Sequence, residues 1–346
     1  VRRLRRPAGR ALCQPGGTAV GSVRRPVAGD DERNGMGYAV VLGEALVDLL
    51  DSERDGERVY RQAVGGGPLN VAVGVARLGG AAQFVGSLGD DALGGRIRAF
   101  LTWADVGVAG AVTVPAPTTL AVVTYAGPEP DFRFYGEPPS YGLLGPDDLD
   151  LALVEGADVL SCGSIAMLQP RTLAAARRAW SLATGLRVFD PNVRPRVLDG
   201  PAALEGLREV VAEFAAGAHL VKLSAADAGL LYPGEPVEGV AAYLRELGAA
   251  TVVVTLGAAG AVLAAAEADP VRVPAPKVDA IDATGAGDSV LAALIADLLT
   301  DGEPDSPAGW VERVAFALRV AGLVCESPGG ATAMPTRADV ERRFPT

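Results

Sequence analysis

"DATGAGDSVLAALIADLL" (282–299) sets small residues and an acid in front of a long apolar run. Val290, Leu291, Leu294, Ile295 and Leu298 recur at helical spacing, so a helix starts at about Gly287 or Asp288. Its first amides have no intrahelical partner, and the small residues before them let an anion approach closely. A phosphoryl group held there gains charge during transfer, and preorganised N–H donors would stabilise it, with Asp288 in reach of the same point. A tight turn and a favourable first-turn acid explain the stretch equally well, so the rest of the chain has to decide.

From Gly37 onward strand-like and helix-like segments alternate. "YAVVLG" (38–43) reads as a buried strand, and "PLNVAVGVARLGG" (68–80) as a helix with Pro68 in its first turn. "QFVGSLGDD" (83–91) gives a strand and a turn, followed by a helix to about Trp103. Two short strands near 118–125 and 131–135 have no long helix between them, as in a flap or a small second sheet. Strands near 157–161, 186–190, 218–223, 251–255 and 260–264 then alternate with helices. This pattern predicts an α/β fold whose mostly parallel sheet is flanked by helices, with ligands at the carboxyl ends of the strands.

Composition narrows the partners. A formal charge of −11 over 346 residues leaves no basic footprint for nucleic acid. No window holds an uninterrupted apolar run long enough to span a membrane. Cys13, Cys162 and Cys325 fit neither a disulfide framework nor a zinc spacing, which makes a reducing cytoplasm the default. His219, the only histidine, lies in an apolar run and reads as structural. Lysine occurs only at 222 and 277, neither after a glycine loop, so a Walker-type phosphate loop is absent. Residues 1–36, rich in Arg, Pro and Gly, read as disordered or as an extension ahead of a start at Met36.

Five further stretches stand where strands end. "GGGPLNVAVGVARLGG" (65–80) does not satisfy G-x-G-x-x-G, but its glycines and Asn70 would let a polyhydroxylated ligand approach the backbone; a plain strand-to-helix turn fits as well. Asp48, ending "VLGEALVDLL" (41–50), suits two neighbouring hydroxyls or a solvated turn. "FDPNVRP" (189–195) offers Asn192 and Arg194, the latter a natural partner for phosphate or carboxylate. "VKLSAAD" (221–227) and "VTLGAAG" (254–260) end in small-residue turns of the kind that contact nucleotides.

In this order the stretches resemble the ribokinase-like (PfkB) carbohydrate kinases, over roughly residues 37–340, and within them most resemble bacterial fructokinases. "DATGAGD" matches the signature D-T-x-G-A-G-D except at Ala283, and Gly65, Gly66 and Asn70 match G-G-x-x-x-N. The resemblance implies one Rossmann-like kinase domain over 37–346 with a small β-sheet lid from segments within about 44–64 and 107–136, using ATP and Mg²⁺ on a sugar hydroxyl. By motif position Asp288 is the general base, and Gly285, Ala286 and Gly287 form the anion hole. Asp48, Gly66, Gly67 and Asn70 hold the sugar, with Arg133 of the lid as a further contact. Asn192, Lys222, Ser224, Thr255, Gly257 and Gly260 approach ATP, while Asp282 and Thr284 match a loop that binds K⁺ in many members. Members often dimerise through the lid, so a homodimer is one assembly open to this chain.

Two positions depart from the pattern. The element N-x-x-E that organises the metal's water shell is Ser224-Ala-Ala-Asp227 here, and Leu318 stands where members often carry Asn beside the adenine. Fructose is the acceptor that the resemblance favours. Another acceptor (2-keto-3-deoxygluconate, ribose, a nucleoside or a sugar phosphate) and a binding protein without catalysis are the alternatives.

Overall fold

The computed structural model describes residues 37–125, 130–266 and 268–345, so the extension expected at 1–36 lies outside the described residues. The first half runs β1 (Tyr38–Leu42), β2 (Leu46–Arg54), β3 (Glu57–Gly65), α1 (Gly67–Arg77), β4 (Ala81–Gly89), α2 (Ala92–Trp103), β5 (Ala111–Val114), β6 (Leu120–Tyr125) and β7 (Pro130–Tyr135). The second runs α3 (Leu151–Glu155), β8 (Val159–Gly163), α4 (Pro170–Leu182), β9 (Leu186–Asp190), α5 (Gly200–Ala215), β10 (Leu220–Ser224), α6 (Ala225–Leu231) and α7 (Val237–Glu246). After these come β11 (Thr251–Thr255), β12 (Ala261–Ala265), β13 (Val271–Val273), α8 (Ala286–Asp301), α9 (Pro307–Cys325) and α10 (Arg337–Arg343).

The nine-stranded sheet has the order β13-β12-β11-β10-β9-β8-β1-β4-β5. It is parallel except at one edge, where β12 runs antiparallel to both β11 and β13. β1 shows why both faces are covered. Ala39 and Val41 enter one core with residues of α1, α2, α8 and α9, while Val40 and Leu42 enter the other with residues of α4, α5 and α7. With both faces apolar, polar groups collect at the carboxyl edge, where each strand hands over to a turn.

The four-stranded sheet has the order β3-β2-β6-β7. β2 and β3 form a long antiparallel hairpin, and β2 pairs in parallel with β6. Two expectations change here. Ala111–Val114, within the span assigned to the lid, instead pairs with β4 at the edge of the large sheet. Asp48 does not end a strand but lies inside β2, opposite Ala63 and Ala121. His219 sits just before β10, where its Nδ1 accepts from the Arg187 amide (3.0 Å), as a structural residue would. Among the described residues no helix is long and apolar enough to cross a membrane.

Candidate active site

α8 begins one residue earlier than its apolar period implied, after Gly285 in a left-handed conformation. Ala286 N donates to the Ala283 carbonyl and Ser289 N to that of Gly285. No backbone acceptor takes the amides of Gly287 and Asp288 among the described residues, so the helix end presents N–H donors.

Asp288, in the first turn, is 5% exposed and is fixed by two amides from distant parts of the chain. Asn70 Nδ2 donates to its Oδ2 (2.8 Å), and Asn192 Nδ2 to its Oδ1 (3.1 Å). Asn192 is held in turn: its own amide donates to Asp190 Oδ1 (3.0 Å), and Arg194 Nη1 to its Oδ1 (2.6 Å). Gly67 makes this convergence possible, because a Cβ there would lie 2.6 Å from Asn192 Nδ2 and 3.5 Å from Asp288 Oδ1.

These groups border a cavity of about 270 Å³ between the two sheets, which also exposes Asp48, Gly66, Gly67, Thr284, Gly285 and Gly287. Burial pushes the Asp48 carboxyl up to about 6, against the opposing charge of Arg194. Gly65 gives Asp48 its room, since a Cβ there would meet Asp48 Oδ2 at 2.2 Å. The Gly67 amide donates to Glu44 Oε1 (3.1 Å), while the residue itself borders the cavity. Arg133 lies apart from the others. It is exposed on β7 and does not line the cavity; the adjacent Phe134 does, as strand alternation requires.

The residues assigned to the nucleotide are more scattered. Lys222 does not point outward along the strand ends. It is 2% exposed, donates to Asp190 Oδ2 (2.8 Å), and lies 3.1 Å from where a Cβ of Gly287 would be. Burial opposes the lysine's charge, but Asp190 and Asp288 outweigh it and hold its pKa above the ordinary lysine value. Burial also pushes Asp190 up to about 6 while Lys222 pulls it back.

Ser224 and Asp227 form a reciprocal cap on α6. Asp227 Oδ2 accepts from Ser224 N (2.8 Å) and Oγ (2.7 Å), and its Oδ1 accepts from Val193 N (2.9 Å). Thr255 closes β11, and Gly257 and Gly260 turn the chain into β12, outside the cavity that holds Asp288. Leu318, at the adenine-side position, is 4% exposed in the core along α9.

Asp282 Oδ1 accepts from Thr284 N and Oδ2 from Gly329 N (both 2.9 Å). Burial raises the Asp282 pKa, but these contacts outweigh it and hold the group below its usual range. Among the described residues, no group of three or more His, Cys, Asp or Glu side chains could hold a metal ion.

Glu44, Asp190, Phe134 and Ile165 were not singled out in the sequence, although Glu44 and Asp190 lay within quoted stretches. Asp190 is the last residue of a buried apolar strand and Glu44 lies two residues past one; an acid at the end of such a strand is the signal that both carry.

Set beside known proteins, residues 36–337 match the pfkB family carbohydrate kinase model. A fructokinase of Klebsiella pneumoniae is 35% identical over 306 residues, 87% of this chain and 97% of that one. The structure of a Xylella fastidiosa fructokinase with bound ATP superposes with a TM-score of 0.80 at 29% identity, covering 88% of this chain and 97% of the other. A Vibrio cholerae fructokinase with fructose, ADP and calcium does so with a TM-score of 0.79 at 27% identity, covering 89% and 98%. The large, mostly parallel sheet with a small second sheet is thus the ribokinase-like fold that the motifs implied. With its signature aspartate at the head of α8 and its family match spanning nearly the whole described chain, the protein is a member of the pfkB family of carbohydrate kinases.

Proposed function

We propose that the chain transfers the γ-phosphoryl group of ATP to a hydroxyl of fructose. The observation that carries this reading is Asp288, gripped by Asn70 and Asn192 at the edge of the cavity and at the open end of α8. A sugar hydroxyl in the cavity gives its proton to Asp288 as its oxygen attacks phosphorus. The amides of Gly287 and Asp288 offset the charge that builds on the transferred group, and Lys222 beneath them adds positive potential. Asp48 accepts from sugar hydroxyls, and Asn70 Oδ1, buried and without a partner among the described residues, is an acceptor for another. The fructokinase relatives support fructose as the acceptor.

ATP would lie along the turns carrying Ser224, Thr255, Gly257 and Gly260, and its use supports a cytoplasmic location. Mg²⁺ would supply charge neutralisation on the phosphates. Asp227, with both oxygens already accepting from the protein, suits a hydrogen bond from a metal-bound water better than direct ligation. The ionised Asp282 beside Thr284 fits a monovalent cation such as K⁺. Tyr60 and Tyr135, 55% and 53% exposed on the edge strands β3 and β7, support a homodimer through the lid.

An ATP-consumption assay over a panel of sugars tests the proposal. Turnover with fructose is the expected result; turnover with another acceptor alone overturns the fructose assignment, and silence on every sugar overturns the reaction.

A further inference from the structure

The chain leaves the large sheet for the small one across Gly43–Ala45 and returns through Gly66, so these two crossings form one side of the hinge between the sheets. They touch: a Cβ at Gly66 would lie 2.6 Å from the Glu44 carbonyl oxygen. The Glu44 side chain, 2% exposed, turns inward from this point. Its Oε1 accepts from the Gly67 amide (3.1 Å) and from Ser164 Oγ (2.7 Å), and its Oε2 from the Ala166 amide (3.3 Å).

One carboxylate thereby joins the hinge, the first residue of α1 and the turn after β8, where Ser164 is held at φ +63°. Ionised carboxylates only accept, which is what three donors require; a glutamine would have to turn its NH₂ towards one of them. No lysine or arginine forms an ion pair with Glu44 among the described residues.

We propose that Glu44 is a positioning residue that fastens the lid hinge to the floor of the acceptor cavity and so keeps Asn70 and Asp288 in register with the sugar. The connection is short: Glu44 fixes Gly67, Gly67 opens the turn that carries Asn70, and Asn70 donates to Asp288. The ionised form accepts from all three donors at once; protonation adds a donor at the carboxyl, and Ser164 Oγ then has to turn its own O–H away. Burial pushes the Glu44 carboxyl up to about 7. Facing it are Ser164 and Ala166 from the turn after β8, Arg194 from beyond β9, and Tyr141, whose hydroxyl is raised by its own burial and then by Glu44. Asp48 and Asp288 share the cavity. The grip on the acceptor should therefore loosen as pH falls through neutrality.

The proposal rests on the sugar-kinase reading, and the test separates the two. Wild type, Glu44→Gln and Ser164→Ala, each as the full chain, are compared by steady-state kinetics with fructose and with Mg-ATP from about pH 5.5 to 8.5. Glu44→Gln is expected to raise the fructose KM by about tenfold or more, leave the ATP KM within about twofold, and remove the limb near neutral pH from kcat/KM for fructose. Ser164→Ala, which strips one donor, should raise the fructose KM by a smaller factor and move that limb to higher pH.

A Glu44→Gln enzyme with the parental fructose KM and the parental limb overturns the role. Where circular dichroism shows Glu44→Gln unfolded, an unchanged KM and limb in Ser164→Ala do the same. A wild type that turns over no sugar overturns the kinase reading itself, and this proposal with it.

Discussion

The proposed acceptor side and the proposed nucleotide side of the site are built in different ways. On the acceptor side, side chains from β2, α1, the turn beyond β9 and α8 converge on one cavity, and Asp288 is held by Asn70 and Asn192, 218 and 96 residues away in sequence. On the nucleotide side, Thr255, Gly257 and Gly260 occupy a single strand-to-strand turn. Lys222, which sequence order placed with them, belongs to neither surface, being buried against Asp190 beneath Gly287. One half is thus preorganised by tertiary contacts, and the other consists of backbone that a ligand can lie along. Substitutions on the acceptor side should lower kcat or raise the sugar KM, whereas those in the turn should act on the ATP KM.

Asp288→Asn breaks the reacting centre and has the largest expected effect. The carboxamide retains the size of the side chain but cannot take the hydroxyl proton, so turnover should fall by about a hundredfold or more with fructose binding preserved. Near-normal kcat would remove Asp288 from the role of base.

Lys222→Met tests whether Lys222 reaches the nucleotide or stays outside both halves as a buried partner. If the lysine reaches out to ATP, the variant melts like its parent and binds ATP weakly. If it is the buried partner of Asp190, its loss leaves an uncompensated carboxylate and destabilises the fold by about 3–5 kcal/mol, read as a lower denaturation midpoint. The second outcome is expected.

A smaller effect comes from the raised carboxyls of the acceptor side. Glu44 sits at about 7 against an ordinary 4.5, and Asp48 and Asp190 at about 6 against 3.8, all through burial. The folded state then binds more protons than the unfolded one. The stabilisation these groups give is present below their unfolded values and is lost as pH rises through the folded ones. Stability should decline from about pH 4 to about pH 7, with Glu44 accounting for about 3 kcal/mol at most. Glu44→Gln should flatten the upper part of that decline in thermal melts; an unchanged slope would mean that Glu44 titrates as an ordinary glutamate.

Much of this contrast was legible in the sequence, and unevenly so. Strands such as β1 and β8 are short, mostly apolar runs of the kind a sheet covered on both faces buries, and the helical period of α8 placed Asp288 in its first turn. The turns after β10 and β11 were legible because small residues follow apolar strands. The network around Asp288 was not: motif position gave Asn70 to the sugar and Asn192 to the nucleotide, and only the crossing of α1 with the turn beyond β9 brings both amides to one carboxylate. Glu44 was passed over inside a quoted stretch because an acid between two strands reads as solvated until both of its neighbours prove buried. In the lid, register was the missing quantity. A shift of one residue exchanges the two faces of a strand, and Arg133 and Phe134 are such neighbours.

Arg133→Ala is accordingly the smallest effect expected, and the one that most directly tests which face of β7 meets the acceptor. Phe134, opposite Ala121, reaches the cavity, whereas Arg133, opposite Val122, is exposed on the other face. Removing the guanidinium should leave the fructose KM within about twofold of the parent, as for a surface substitution remote from the reacting groups. Phe134→Ala opens the cavity wall and should raise that KM by more, with ATP KM unchanged. If Arg133→Ala gives the larger rise of the two, the lid closes on the sugar with its other face inward.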